Sequence, residues 1–175
     1  MKVIMIRHTS VDVSPGVCYG QTDVALKPSF HTEATEVKKK LEGLSFDAVF
    51  TSPLSRCVRL ADFCGYPNAI RDERLKELNF GEWEMQRFDE ISDPRLQLWY
   101  DDYFNIAPTG GESFLDQRLR VENFLTEIKS KGFRSVAIFA HGGILLQGML
   151  IAGIITPEEA FDRQAPYGGV IEIEL

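Results

Sequence analysis

The chain has 175 residues, a length that fits one domain and can bury a real core. Hydrophobic residues make up 44% and charged residues 26%, which excludes a disordered chain. The net charge of -7 argues against nucleic acid as a partner, which needs a basic face; an anionic ligand would require a site that is locally positive. Cys18, Cys57 and Cys64 are odd in number and lack metal-site spacing. No apolar run approaches the length of a membrane span, and "MKVIMIRH" is too short and too soon charged for a signal peptide. The expectation is a reduced, soluble, cytoplasmic protein with no membrane partner.

The first predicted element is "KVIMI" (2–6), a continuous apolar strand of the kind covered on both faces. Phe30, Ala34, Val37, Leu41 and Leu44 then recur at helical spacing, with Pro28 before them and Gly43 near the end. "DAVFTSP" holds a short strand over 48–50, stopped by Pro53. "LSRCVRLADFCGY" follows as a helix that turns Leu54, Val58, Ala61 and Cys64 inward. A short edge strand is expected at 69–71. The segment from Ser113 to Gly132 reads as a helix with a capping-box start, Ser113-x-x-Asp116. "SVAIFA" (135–140) is the second clear buried strand, "ILLQGMLIAGI" an apolar helix, and "GVIEIEL" an alternating final strand. Strands that alternate with helices imply an α/β sandwich around a largely parallel sheet. Residues 78–112 break the alternation, carry Trp83 and Trp99, and read as an insertion over the sheet edge.

In an open α/β sheet, ligands bind beyond the carboxyl ends of the strands. Three strand ends carry polar groups here. Arg7 and His8 follow the first strand, Arg56 lies in "TSPLSR" after the second, and His141, Gly142 and Gly143 follow "VAIFA". Each alone has a structural explanation. Together they describe a site for a dianionic phosphate, built from guanidinium groups, imidazoles and helix N-terminal amides. His31, early in an amphipathic helix, is read as structural.

The ordered segments "IRHTS", "TSPLSRC", "LKELNFGEWE", "PTGGESF" and "FAHGG" resemble the histidine phosphatase superfamily, with its phosphoglycerate-mutase-like fold, over essentially the whole chain. Within it, "RHTSVDVSPGVCYGQTDVAL" is most similar to the α-ribazole phosphatases of cobalamin synthesis. The resemblance implies a three-layer α/β/α sandwich, with residues 1–175 as a single histidine phosphatase domain and 78–112 as a lid-like insertion. It implies His8 as nucleophile, Arg7, Arg56 and His141 as the clamp on the phosphoryl oxygens, and Glu77 as proton donor. Tyr19, Gly20 and Gln21 align with the family's loop beside the phosphate. Ser14 stands where the mutases have Asn, and Thr9 where the family usually has Gly. Gly142, after His141, completes the expected substrate-binding set. No cofactor and no metal are expected, because arginines take the place of a cation.

The family's mutases are longer and shield the phosphoenzyme, so hydrolysis of a small phosphomonoester is the expected reaction, with α-ribazole 5'-phosphate favoured. A broad-specificity or sugar-phosphate phosphatase is the alternative. A phosphoprotein-binding module on an inactive fold is a rival of another class. Trp83, Trp99, Tyr100 and Tyr103 either stack on a planar base or simply pack the insertion on the sheet. The sequence leaves the oligomeric state open.

Overall fold

The computed structural model describes residues 1–175, the side chain of Phe161 apart. Five strands form one sheet: β1 (Lys2–Arg7), β2 (Ala48–Thr51), β3 (Ile70–Arg71), β4 (Ser135–Ala140) and β5 (Val170–Glu174). Their order is β3-β2-β4-β1-β5. All neighbours run parallel except β5, which closes the edge antiparallel to β1. Five helices complete the fold: α1 (Phe30–Lys40), α2 (Ser55–Phe63), α3 (Arg95–Asp101), α4 (Phe114–Ser130) and α5 (Gly142–Ile151).

The period-two alternation of the strands divides the core. Val3 and Met5 of β1 join Val136, Ile138 and Ala140 of β4 on the face covered by α4 and α5. Ile4 and Ile6 join Ala137 and Phe139 on the opposite face, under α1 and α2. The result is the expected three-layer sandwich. Residues 78–112 build a third cluster of their own, in which Trp83 and Trp99 meet edge-on at 5.9 Å beside Cys18, Phe80 and Phe88.

Several local expectations need correction. Leu44 is exposed, because α1 gives way to turns after Lys40 and its apolar stripe ends at Leu41. In α2 the buried face carries Arg56, Cys57, Leu60 and Ala61, and Val58 is only half-buried. Leu54, Ala61 and Cys64 are buried as expected, and the inward face is wider than the apolar spacing indicated, taking in Arg56, Cys57 and Leu60. The apolar helix α5 spans Gly142–Ile151 and so ends before the last residues of the apolar run, Ala152 to Ile154. Helix α3 and the 3₁₀ segment Pro157–Arg163 were not predicted, for neither carries a sustained apolar stripe.

Candidate active site

Parallel pairing brings the carboxyl ends of β1, β2 and β4 to one edge of the sheet. The residues just past them are His8, Ser52 and His141. Ladder bonds continue one residue further, His8 N–H to Ala140 C=O (3.1 Å) and Ser52 N–H to Phe139 C=O (2.9 Å), so these side chains start from a rigid base. The His8 and His141 rings lie edge to face with centroids 5.2 Å apart.

The hydrogen bonds fix the protons of both imidazoles. His8 Nδ1 lies 2.8 Å from the Thr9 carbonyl, which can only accept. Nδ1 therefore carries the hydrogen, and Nε2 keeps its lone pair. Burial, then the Arg56 charge, with a further contribution from Arg7, lowers the His8 pKa to about 3, against the raising effect of the Thr9 bond. The ring is neutral at physiological pH. His141 is buried completely and lowered well below the usual value, by burial first and the Arg56 charge second. Its Nδ1 accepts from Arg56 Nε (3.3 Å), so its Nε2 donates to Ser52 Oγ (2.7 Å).

A cavity of about 310 Å³ opens at this edge. Its polar lining comprises Arg7, His8, Tyr19, Glu77, Gln117, Gln164 and Tyr167, with Gly143 among them. Arg7 donates from one terminal nitrogen to the Ala165 carbonyl at 2.5 Å, and its guanidinium lies 4.3 Å from the Tyr167 ring centre. Arg7 Nε is buried with no hydrogen-bond partner among the described residues. Tyr167 and Tyr19 share a hydroxyl-hydroxyl bond of 2.6 Å. The remaining lining is apolar and strongly aromatic: Phe80, Phe88, Trp99, Tyr103, Phe114 and Leu146, with Val17, Cys18, Leu78 and Ala160. A second hollow, lined by Phe80, Phe88, Trp99, Tyr100 and Tyr103, shares four of these rings and none of the polar groups. These four rings therefore wall both hollows.

Glu77 is held by three donors. Oε1 accepts from Leu78 N–H (2.9 Å) and Gln117 Nε2 (3.0 Å), and Oε2 accepts from Gly143 N–H (3.1 Å). The Glu77 carbonyl accepts from Arg120 (3.0 Å) and Gln21 Nε2 (3.1 Å). A Cβ on Gly143 would lie 2.3 Å from Glu77 Oε1, so the second glycine of the pair is what lets α5 approach this carboxyl.

The predicted residues divide into two groups. Arg7, His8 and Glu77 reach the cavity wall. Arg56 and His141 do not: both are fully enclosed behind His8. Arg56 donates to His141, to Thr22 C=O (2.9 Å) and to Gly20 C=O (2.5 Å), so each nitrogen of its fork gives one hydrogen to a protein acceptor. Gly20 contributes a carbonyl to Arg56 and has Leu78 C=O where a side chain would start. Gln21 is tied to Glu77 and Glu84. Ser14 is exposed in a turn and does not line the cavity, because the chain folds back there through Val17 N–H to Ser14 C=O (3.2 Å). Gly142 opens α5 where a Cβ would lie 2.7 Å from Gln164 Nε2 and 3.2 Å from Arg7 Cζ. Of the four aromatics named from sequence, Trp99 and Tyr103 line the main cavity and Tyr100 only the second. Trp83 is buried, bonded through Nε1 to Asp93 (2.8 Å). Gln117, Gln164 and Tyr167 escaped sequence reading, since no short motif surrounds them.

The family model described as histidine phosphatase superfamily (branch 1) matches residues 3–175. The adenosylcobalamin/alpha-ribazole phosphatase of Escherichia coli K12 is 28% identical to this chain, across 91% of it and 82% of the relative. A 2,3-bisphosphoglycerate-dependent phosphoglycerate mutase of Brucella ovis is also 28% identical, across 95% and 88%. In three dimensions, the alpha-ribazole phosphatase of Shigella flexneri superposes with a TM-score of 0.88 over 100% of this chain and 91% of that one, at 23% identity, a likeness of fold.

Proposed function

Since the chain belongs to branch 1 of the histidine phosphatase superfamily, we propose that it is a phosphomonoesterase that works through a phosphohistidine on His8. The observation that carries this reading is the Nδ1 contact to the Thr9 carbonyl, which leaves Nε2 of a neutral imidazole free at the cavity. In the first step Nε2 attacks phosphorus, the ester P–O bond breaks, and Glu77 gives a proton to the departing oxygen. The imidazole becomes cationic as it is phosphorylated, and its Nδ1–H bond to Thr9 strengthens. In the second step water attacks phosphorus, the P–N bond breaks, and the Glu77 carboxylate takes the water proton.

Arg7, with its free buried Nε, is the direct contact for the phosphoryl oxygens. Arg56 supplies positive charge from behind His8 and helps hold the ring neutral; each of its terminal nitrogens keeps a second hydrogen beyond those given to Thr22 and Gly20. His141 holds the Arg56 fork in place. This positive wall substitutes for a metal ion.

The cavity pairs one reacting end with one aromatic end. That supports a phosphate ester whose alcohol carries a large planar apolar group, and within that class α-ribazole 5'-phosphate. Residues 78–112 would act as the roof that supplies most of these rings. Arg7 is the only cationic side chain among the described lining residues. A phosphoglycerate would bring a carboxylate with no second cation to meet it, so hydrolysis is favoured over mutase chemistry. The test is a panel containing α-ribazole 5'-phosphate, a sugar phosphate, 3-phosphoglycerate and p-nitrophenyl phosphate, assayed without added metal. The reading requires α-ribazole 5'-phosphate to give the highest kcat/KM. A preference for the sugar phosphate or 3-phosphoglycerate would contradict the substrate assignment, and no turnover of any would contradict the activity.

A further inference from the structure

Helix α5 is apolar around its whole circumference except for Gln147, which is completely buried. Such a side chain weakens a core unless it is needed for something. Gln147 Nε2 donates to the Phe114 carbonyl (2.9 Å) and to Gln117 Oε1 (3.2 Å). Gln117, also completely buried, donates from Nε2 to Glu77 Oε1 (3.0 Å).

The order of donors along this chain is forced at its far end. A main-chain carbonyl only accepts, so the Gln147 amide must present its nitrogen to Phe114. A reversed amide would set oxygen against oxygen. The Gln147 oxygen consequently has no partner among the described residues, a cost the structure carries. With its nitrogen so placed, Gln147 gives a hydrogen to Gln117 Oε1. That fixes Gln117 with its own nitrogen toward Glu77. Toward Glu77, Gln117 therefore donates and cannot accept, its oxygen being turned to Gln147.

This direction has a chemical consequence. An acceptor beside Oε1 would bind the proton of the Glu77 acid and compete with the leaving oxygen. A donor there joins the Leu78 N–H in occupying Oε1 and leaves the acid proton to Oε2, which among the described residues accepts from the Gly143 N–H alone. We infer that Gln147 is a positioning residue for proton transfer, acting through Gln117 to set which Glu77 oxygen delivers the proton. The inference rests on Glu77 as the general acid proposed above.

The test compares two substrates of similar bulk, p-nitrophenyl phosphate and 2-phenylethyl phosphate, in wild type, Gln147→Met, Gln117→Met, the double variant and Glu77→Gln. Only the alkyl ester needs the acid in its first chemical step. Gln147→Met is expected to lower kcat/KM for 2-phenylethyl phosphate at least about tenfold while p-nitrophenyl phosphate changes by less than about twofold. Vanadate inhibition, which reads the phosphate pocket alone, should be unchanged. The double variant should lose no more than Gln117→Met, since Gln147 acts only through that amide. Equal loss for both substrates, in a variant whose circular dichroism is native, overturns the inference. So does an additive loss in the double variant. If Gln147→Met does not fold, Gln117→Met carries the same comparison: a selective loss upholds the relay, an equal loss overturns it. Should Glu77→Gln itself lose both substrates equally, the acid assignment falls, and the inference with it. If Glu77→Gln is selective and the glutamine variants are not, only the inference falls.

Discussion

A histidine that attacks phosphorus must be neutral, and His8 is kept so by its surroundings. Its pKa of about 3, set first by burial and then by Arg56, has a thermodynamic consequence. In the unfolded chain the ring takes a proton below about pH 6.5, and in the folded chain it refuses one until about pH 3. Stability from this group is therefore full above pH 6.5 and is lost as the pH falls toward 3. His8→Gln removes that dependence. Denaturant unfolding at pH 7 and pH 5 should show the wild type losing ground to His8→Gln by up to about 1.4 kcal/mol per pH unit. Parallel losses in the two proteins would show that His8 titrates alike in both states. Gly143 makes a second residue-scale prediction. The Cβ of Gly143→Ala would displace Glu77 Oε1 from 2.3 Å away, while all three of that carboxyl's donors hold it in place. The variant should fold, yet lose on the order of 10²-fold in kcat/KM for alkyl phosphates and much less for p-nitrophenyl phosphate. Equal activity toward both would mean that Glu77 tolerates the shift.

At the scale of elements, α4 matters beyond its place in the sandwich, because Gln117 and Arg120 lie three residues apart on the face that grips Glu77. Its N-terminus is set by the capping box, with Ser113 Oγ accepting from Asp116 N–H and Asp116 accepting from Ser113 N–H. Ser113→Ala should cost about 1 kcal/mol by urea unfolding. The aromatic insertion allows another test. Tyr103→Leu keeps an apolar contact with Phe114 but trims a ring from the cavity. It should reduce kcat/KM for esters with planar groups roughly fivefold relative to a small sugar phosphate, the scale of an aromatic contact. A uniform reduction would assign Tyr103 to packing alone. The strands and the α4 cap were legible because their signals are local: continuous apolar runs, and Ser-x-x-Asp before a periodic helix. Helix α3 and the segment Pro157–Arg163 were not, since each is short and without a sustained apolar stripe, although Thr156-Pro157-x-Glu159 was a local capping signal for the second. Gln117 and Gln147 were equally hidden. A glutamine in a helix looks unremarkable until its neighbours across 30 residues are known.

At the scale of the whole molecule, the sheet order explains why a chain of net charge -7 can host an anion. Parallel β1 and β4 place Arg7 and His8 beside the start of α5, and β2 leads into α2, which brings Arg56 behind them. The convergence was readable from strand ends alone, but the depth of each residue was not. The full burial of Arg56 was not legible because α2 buries a polar residue beside its apolar stripe, held there by acceptors from His141, Thr22 and Gly20. Positive charge supplied by side chains implies that EDTA leaves turnover unchanged; activity lost to EDTA and restored by a divalent cation would require a different account of the phosphate pocket. The central claim concerns one covalent bond. Rapid-quench mixing with a radiolabelled phosphomonoester, followed by peptide mapping, should find label on His8, stable in base and lost in acid, that is absent from His8→Ala. Label on a serine or aspartate instead, or label retained by His8→Ala, would contradict it.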